Sequence, residues 1–467
     1  MSENKNFAAV ILAAGLGARM KSCLPKVLHR LGGMSLIERV VRCAAALSPE
    51  KIIVVTGHKA EMVETELSKK FKKEAFRDKI IFARQKLLKG SGRAVQEAMA
   101  LIKKHAHALV LCGDAPLFRE ATVKKMVSVY FKTRPDCLVM TAELPEPGSY
   151  GRIKRGKDGS VRSIIEAGGA QPGELAVKEV NSGAYFFSVK ALAAAVKGLK
   201  KKGSKGEYYL TDALENILSA GGTVSAFRLK DPCEMAAVNS REGLAGAYRM
   251  LNARKNSELM ASGVTIIDPA NTYIDESVKV GRDSVIFPGV FLKGRSVVGK
   301  NCRLGPYGII EDSVIENGCE IKFGCCLSQS RVRAFSVVGP VSHLRPASDI
   351  GPLARVGNFS EIKKSRIGRG SKVPHLSYIG DTIMGGKVNV GAGAITCNYD
   401  GKNKNRTIIG NGVFIGSNAN LVAPVKIGAG ALVAAGSTIT EDVPPGKLVL
   451  ARARQVLKNI KLQEVNP

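Results

Sequence analysis

Between Ile274 and Ile439 aliphatic residues return at every sixth position, frequently with glycine directly after them. One run is Ile274, Val280, Ile286, Leu292, Val298, Leu304 and Ile310. A second is Val332, Val338, Leu344, Ile350, Val356 and Ile362, and a third is Ile409, Ile415, Leu421, Ile427, Val433 and Ile439. A helix repeats at about 3.6 residues and a strand at about 2, so neither carries this beat. A coil of three short strands does, because each turn sets one aliphatic side chain per flat side into a shared central stack.

The first half of the chain has a different pattern. Residues 7–13 form a continuous apolar run, as expected of a strand buried on both faces. A Gly-rich turn and a helical stretch at 36–47 follow, with further strands expected at 51–56, 80–83 and 107–112 and a helical pattern at 93–104. That alternation predicts a doubly wound, mainly parallel α/β sheet of the Rossmann-like kind. Residues 241–262, rich in Ala, Leu, Arg and Glu, read as a long helix ending at Gly263. They are too short for sustained heptads, so a rigid linker is expected and not a coiled-coil seam. The expected organisation is an α/β domain at 1–241, a linker helix at 242–262 and a repeat domain at 263–467.

A length of 467 residues suits two or three domains with ample core. Hydrophobic residues are 45% and the mean hydropathy is +0.01, the balance of a soluble globular protein. No apolar run reaches membrane-spanning length, and the first seven residues are short and polar for a signal peptide. A cytoplasmic protein without membrane insertion is expected. The ten cysteines lack paired zinc spacing, so reduced thiols are the default. A net charge of +30 suits nucleic acid, an acidic surface or anionic small substrates. Aromatics are only 5% and Trp is absent, so stacking platforms for single strands are scarce and no nucleic-acid partner is expected.

Chemistry-bearing residues cluster after the first strand. In LAAGLGARM (12–20), consecutive small residues let backbone N–H groups face an anion. Arg19 and then Lys26, in LPKVLH (24–29), bring two cations to the same loop. LCGDAPL (111–117) sets Asp114 just past an apolar strand, where the crevice of an open α/β sheet lies. On position alone a helix cap suits Asp114 as well as a metal does. GSGRA (90–94), YGRI (150–153), VNSGAYFF (180–187) and KGEYYLTD (205–212) add polar, Gly-bearing segments between strands.

Together these segments resemble the sugar-1-phosphate nucleotidylyltransferases over most of the chain before Arg241. The resemblance implies a Rossmann-like sheet and attack by a sugar 1-phosphate on the α-phosphorus of a nucleoside triphosphate, releasing pyrophosphate. It implies that Leu12, Ala13, Ala14, Gly15, Gln85, Gly90 and Ser91 hold the uracil of UTP. Arg19 and Lys26 would grip phosphates, with Cys112 and Gly113 beside them. Asp114 and Asn239 would ligate Mg²⁺, and Gly151, Glu166 and Asn181 would contact the sugar. Two positions depart from the pattern: Ala18 replaces the usual hydroxyl residue before the arginine, and Cys112 stands where relatives often carry tyrosine.

In the repeat half, HLRPASDIG (343–351), VGNFSEIKKS (356–365), SKVPHLSYIGD (371–381) and VNVGAGAITCNYDGKNKNRT (388–407) interrupt the beat with polar residues. A solenoid needs none of them to stack. With both halves in this order, the chain resembles the bifunctional N-acetylglucosamine-1-phosphate uridylyltransferase/glucosamine-1-phosphate N-acetyltransferase family. That resemblance implies a left-handed parallel β-helix, a homotrimer with sites shared between subunits, and acetylation of glucosamine 1-phosphate by acetyl-CoA ahead of uridylylation. A sugar ammonium must lose a proton before attacking a thioester, and His375 is the base that suits this step. Glu361 is a candidate to orient it. By resemblance Arg345, Lys363, Tyr378, Asn389 and Lys404 would hold the sugar phosphate. Ala392, Asn398, Tyr399, Ser417, Ala435 and Arg452 would border the acetyl-CoA channel. Cys397 lies nearby, but direct transfer needs no acetyl-cysteine. Two other readings compete: a nucleotidylyltransferase whose coil serves only assembly, and a scaffold without catalysis. The first does not need His375, Tyr378 and NYDG, and the second is disfavoured by the presence of Lys26, Asp114 and His375.

Overall fold

The computed structural model describes residues 6–202 and 206–459. Residues 1–5 of the polar start, Lys205 of KGEYYLTD and residues 460–467 of the tail lie outside the described part. The chain divides into two units, Met1–Leu251 and Asn252–Pro467.

In the first unit the apolar runs become the sheet. Phe7–Ala13 pairs in parallel with Lys51–Thr56 on one side and His107–Cys112 on the other, and Lys51–Thr56 pairs onward with Ile80–Arg84. Burial on both faces explains why the middles of the first three, residues 8–11, 52–55 and 108–111, are Val, Ile, Leu and Ala throughout. The long strand Glu179–Ser188 lies antiparallel between His107–Cys112 and Cys137–Glu143, a reversal within a mainly parallel sheet. Its register shifts between Asn181 and Tyr185, where Gly183 adopts φ +79°. Such a bulge re-aims a side chain on the bulged strand, here Asn181. The two helices expected at 36–47 and 93–104 run Leu36–Ala45 and Ser91–Ile102. The second begins earlier because Gly90 turns the chain directly into it.

Helix Arg241–Ala261 spans the division between the units. Ala247 and Leu251 pack with Met20, Leu31 and Leu36 in the first unit. In the second, Leu259 joins the core of the coil, and Asn252 and Asn256 donate to the Thr272 carbonyl oxygen at 2.7 and 2.9 Å.

The second unit is a three-sided coil of short parallel strands forming sheets of 11, 10 and 9 strands. Every aliphatic residue of the six-residue beat except half-buried Val280 is buried in one continuous stack. The beat is not uniform. It shortens by one residue at the corners turned by Asp312, Gln329, Lys364 and Asp381, whose φ values are 43–48°. A column of small polar residues also lines one inner corner: Ser296, Ser313, Ser330, Ser348, Ser365, Thr382 and Thr407, all buried. Ser296 Oγ, for example, accepts from Ser313 N at 3.3 Å and donates to the Lys293 carbonyl oxygen at 2.7 Å. Hydroxyls thus satisfy backbone groups that a tight corner would strand without partners. Because each turn leans only on its neighbours, one cavity is not relieved elsewhere. Ile362→Ala is expected to destabilise the coil by about 2–5 kcal/mol, read as a lowered thermal midpoint.

Candidate functional site

The Gly-rich loop after the first strand is shaped by close approach. Gly17 adopts φ +62°, and a Cβ there would lie 2.6 Å from the Lys26 Cβ, so glycine lets the 3-10 turn Lys26–Leu28 close against the loop. Lys26 Nζ makes an ion pair with Asp114 and donates to Asn239 Oδ1 at 2.9 Å. Asp114 and Asn239 are drawn together by the backbone, with Val238 N donating to the Asp114 carbonyl oxygen at 2.8 Å. Gly113 N donates to the Leu12 carbonyl oxygen at 2.9 Å, tying this strand end to the loop. Arg19 is exposed on the 3-10 turn Ala18–Met20, with Ala13 and Ala14 buried behind the loop and Gly15 open to solvent. Arg241 steadies that turn: its Nε donates to the Met20 carbonyl oxygen at 3.3 Å, and its Nη1 lies 3.3 Å from His29 Nδ1. Burial, and then the Arg241 charge, lower the His29 imidazole from its usual range.

Gln85 is buried and donates from Nε2 to the Gly90 carbonyl oxygen at 3.2 Å. Ser91 Oγ accepts from Leu210 N at 3.1 Å, which joins this turn to the YYLTD segment. Gly90 has no alternative, since φ is +91° and a Cβ would lie 2.5 Å from the Tyr208 carbonyl oxygen. Beyond it opens a cavity of about 720 Å³ lined by Ser149, Glu166, Lys202, Tyr209 and Asp212. Burial raises the Glu166 carboxyl above the usual range, while Thr211 Oγ1 donates to it at 2.9 Å. Asn181 N donates to the Gly151 carbonyl oxygen at 2.9 Å, so Gly151 and Asn181 meet at one strand end. Cys112 Sγ donates to the Gly183 carbonyl oxygen at 3.4 Å, and burial pushes its thiol up to about 12. A thiol held protonated in this way is no nucleophile.

In the coil, one face carries Arg345, Lys363 and Tyr378 on successive turns, because His343–Leu344, Glu361–Lys363 and Tyr378–Gly380 stack in register. The loop 398–406 bulges out of the next turn and is braced by Asp400, whose carboxylate accepts from Lys402 N, Asn403 N and Asn405 Nδ2. It delivers Lys404 against Lys363. The adjoining Lys404 amine, then burial and nearby positive charge, lower the Lys363 amine from its usual range. Adjacent cations of this kind favour an anion between them. Asn398 Nδ2 donates to Asp381 Oδ2 at 2.5 Å, and Tyr399 is exposed at the tip of the loop. Ala392, Ser417 and Ala435 follow one another on successive turns of one corner, where Arg452 Nη1 donates to the Ala435 carbonyl oxygen at 2.9 Å.

His375 ends strand Lys372–His375, exposed at the same corner. Its neighbour is not the one expected: Glu361 Oε1 takes Arg345 Nη1 at 2.8 Å, and the group on His375 Nδ1 is Asn358 Oδ1 at 2.9 Å. Asn389 lies on the following turn, paired with Lys372. Burial raises the Cys397 thiol as well, which suits transfer without an acetyl-cysteine.

A Gly-rich loop on an α/β sheet and a cationic face on a six-residue-repeat coil therefore occur in one chain. Residues 9–214 match the MobA-like NTP transferase domain, and residues 406–441 match the bacterial transferase hexapeptide repeats. The bifunctional protein GlmU of Caldanaerobacter subterraneus subsp. tengcongensis is 45% identical over 460 residues, 98% of each chain. This chain belongs to the bifunctional GlmU family. GlmU of Shouchella clausii is 44% identical over 97% of each chain, and that of Carboxydothermus hydrogenoformans is 44% identical over 96% of this chain and 98% of its own. Membership of the GlmU family makes the coil a left-handed parallel β-helix, against the right-handed rule for parallel crossovers. Among solved structures, a UDP-glucose pyrophosphorylase complexed with UDP-glucose covers 53% of this chain and 98% of its own, at 21% identity and a TM-score of 0.44.

Proposed function

We propose that the chain makes UDP-N-acetylglucosamine in two steps, acetylating glucosamine 1-phosphate with acetyl-CoA and then transferring UMP from UTP to the product. The observation that carries the first step is His375 exposed at the corner of a face bearing Arg345, Lys363, Tyr378 and Lys404. The cations hold the sugar phosphate. His375 takes a proton from the sugar ammonium, the freed amine attacks the thioester carbonyl, and the collapsing tetrahedral adduct expels the CoA thiolate, which is then protonated. Ala392, Asn398, Tyr399, Ser417, Ala435 and Arg452 border the CoA side.

Uridylylation asks for alignment and charge neutralisation more than acid–base chemistry. Gln85, Gly90 and Ser91 hold the base, and Arg19 and Lys26 take the phosphates. Gly151, Glu166 and Asn181 hold the sugar, Glu166 from the wall of the 720 Å³ cavity. Asp114 and Asn239 fit a Mg²⁺ ion, because a carboxylate and an amide oxygen already converge on one cation, Lys26 Nζ. Among the described residues no cluster of three or more His, Cys, Asp or Glu could hold a metal, so phosphates and water would complete the shell. When bound, the ion supplies charge neutralisation at the phosphates.

The test is an assay with glucosamine 1-phosphate, acetyl-CoA and UTP, separately and together, with and without a chelator. Thiol release is expected from the first two substrates alone and to survive chelation. Pyrophosphate release should need all three, or ready-made N-acetylglucosamine 1-phosphate, and stop on chelation. Pyrophosphate release without any acetyl donor from glucosamine 1-phosphate at an equal rate would overturn the order of steps.

We also propose a homotrimer acting in the cytoplasm. No helix among the described residues is long and apolar enough to cross a membrane. Tyr307, Phe323, Val341, Phe359 and Leu376 stand exposed along one corner of the coil. Four of them, Tyr307, Val341, Phe359 and Leu376, are bulky residues at positive φ, an unusual use of apolar side chains unless something covers them. The ridge runs beside His375, which suits a site completed by a neighbouring copy. Sedimentation should give three times the 49.6 kDa chain mass, and a monomer would refute the shared site.

A further inference from the structure

Asn358 lies one coil turn before His375, and the two are partners in the parallel ladder between Arg355–Asn358 and Lys372–His375. These strands are four residues long where most in the coil hold two or three, so pairing continues right to the corner and fixes both backbones. Gly357 permits the contact, since a Cβ there would lie 1.8 Å from the Pro374 carbonyl oxygen. On the other side, Ser377 Oγ donates to the His375 carbonyl oxygen at 2.7 Å. With the backbone held, His375 Nδ1 meets Asn358 Oδ1 at 2.9 Å. An amide oxygen only accepts, so Nδ1 is the nitrogen that carries a proton here, and in the neutral ring Nε2 keeps its lone pair.

We infer that Asn358 is a positioning residue for acetyl transfer, fixing the His375 tautomer that presents a free Nε2 to the sugar ammonium. The inference rests on His375 being the base. The charged side chains on the two strands that carry the pair are Arg355 and Lys372, and Asn389 on the next strand is uncharged. An amide orients the ring without adding charge beside a cleft that must hold a phosphate dianion. A carboxylate at 358 would also orient it but would favour the imidazolium.

The experiment uses full-length protein labelled with ¹⁵N-histidine. In the wild type, His375 is expected to show a protonated Nδ1 and an unprotonated Nε2. Asn358→Ala should move the proton largely to Nε2 and lower kcat for acetyl transfer by about 10-fold or more, with KM for acetyl-CoA little changed. Asn358→Asp should keep the Nδ1 proton and recover part of kcat, and unchanged signals from the other histidines certify the fold. An unchanged tautomer and full kcat in Asn358→Ala, beside an inactive His375→Ala, would overturn the role of Asn358 alone. A neutral ring in Asn358→Asp with its one proton on Nε2 and none on Nδ1 would overturn it equally. Acetyl transfer surviving in His375→Ala would instead remove the base assignment on which the inference rests.

Discussion

Replacing His375 by alanine is expected to lower acetyl transfer by about 10²–10⁴-fold while pyrophosphate release from UTP and N-acetylglucosamine 1-phosphate stays near normal. The size follows from what the imidazole does. The sugar amine is protonated near neutral pH, and without an adjacent base only its small free-amine fraction attacks the thioester. Cys397 offers no substitute route, because burial raises its thiol. The selectivity follows from where the residue sits, on a coil built of nearest-neighbour turns in a unit of its own. Stopped-time thiol and pyrophosphate readings on one preparation check both halves. Equal loss of both activities would argue against two separate centres.

Asp114→Ala is expected to do the reverse, cutting pyrophosphate release by about 10²-fold or more and sparing thiol release. The carboxylate is the anion that Lys26 grips, and with Asn239 it forms a convergent oxygen pair beside the loop. Removing it leaves the Lys26 ammonium with a single amide oxygen and takes away the charged half of the proposed Mg²⁺ ligand set. The loss should appear in kcat as well as in KM for UTP, and raised magnesium should recover little. Full activity in this variant would rule Asp114 out as a ligand.

Much of the fold is legible in the chain, and the exceptions have physical causes. The strands at 7–13, 51–56 and 107–112 occur with those bounds, because a strand buried on both faces must be apolar throughout. The antiparallel strand Glu179–Ser188 is not signalled, since its direction is set by partners distant in sequence. In the coil the aliphatic beat marks the core, but the buried serine column is hidden, because serine is common on surfaces and only the corner geometry puts it inside. The short corners at Asp312, Gln329, Lys364 and Asp381 break the period for the same local reason.

The site divides in the same way. The Gly-rich cradle and Asp114 can be read because their chemistry lies within short motifs. Asn239, named by resemblance alone, is brought to Asp114 by the Val238 backbone bond and the shared Lys26 ammonium, and Arg241 reaches Met20 across most of the first unit. Asn358 had a readable signal that period-six reasoning passes over: residues one full coil turn apart stack, so the partner of His375 can be sought one turn earlier. Glu361 is the more obvious candidate by charge, yet it stacks with Tyr378 and binds Arg345.

On the proposed function, one polypeptide holds two chemically independent anion-binding centres joined only by a diffusing intermediate. The most direct measurement mixes equal amounts of His375→Ala and Asp114→Ala proteins with glucosamine 1-phosphate, acetyl-CoA and UTP. Each alone should yield no UDP-N-acetylglucosamine, and the mixture should yield it after a lag while N-acetylglucosamine 1-phosphate accumulates. A mixture as inert as its components, with both proteins folded, would contradict the account.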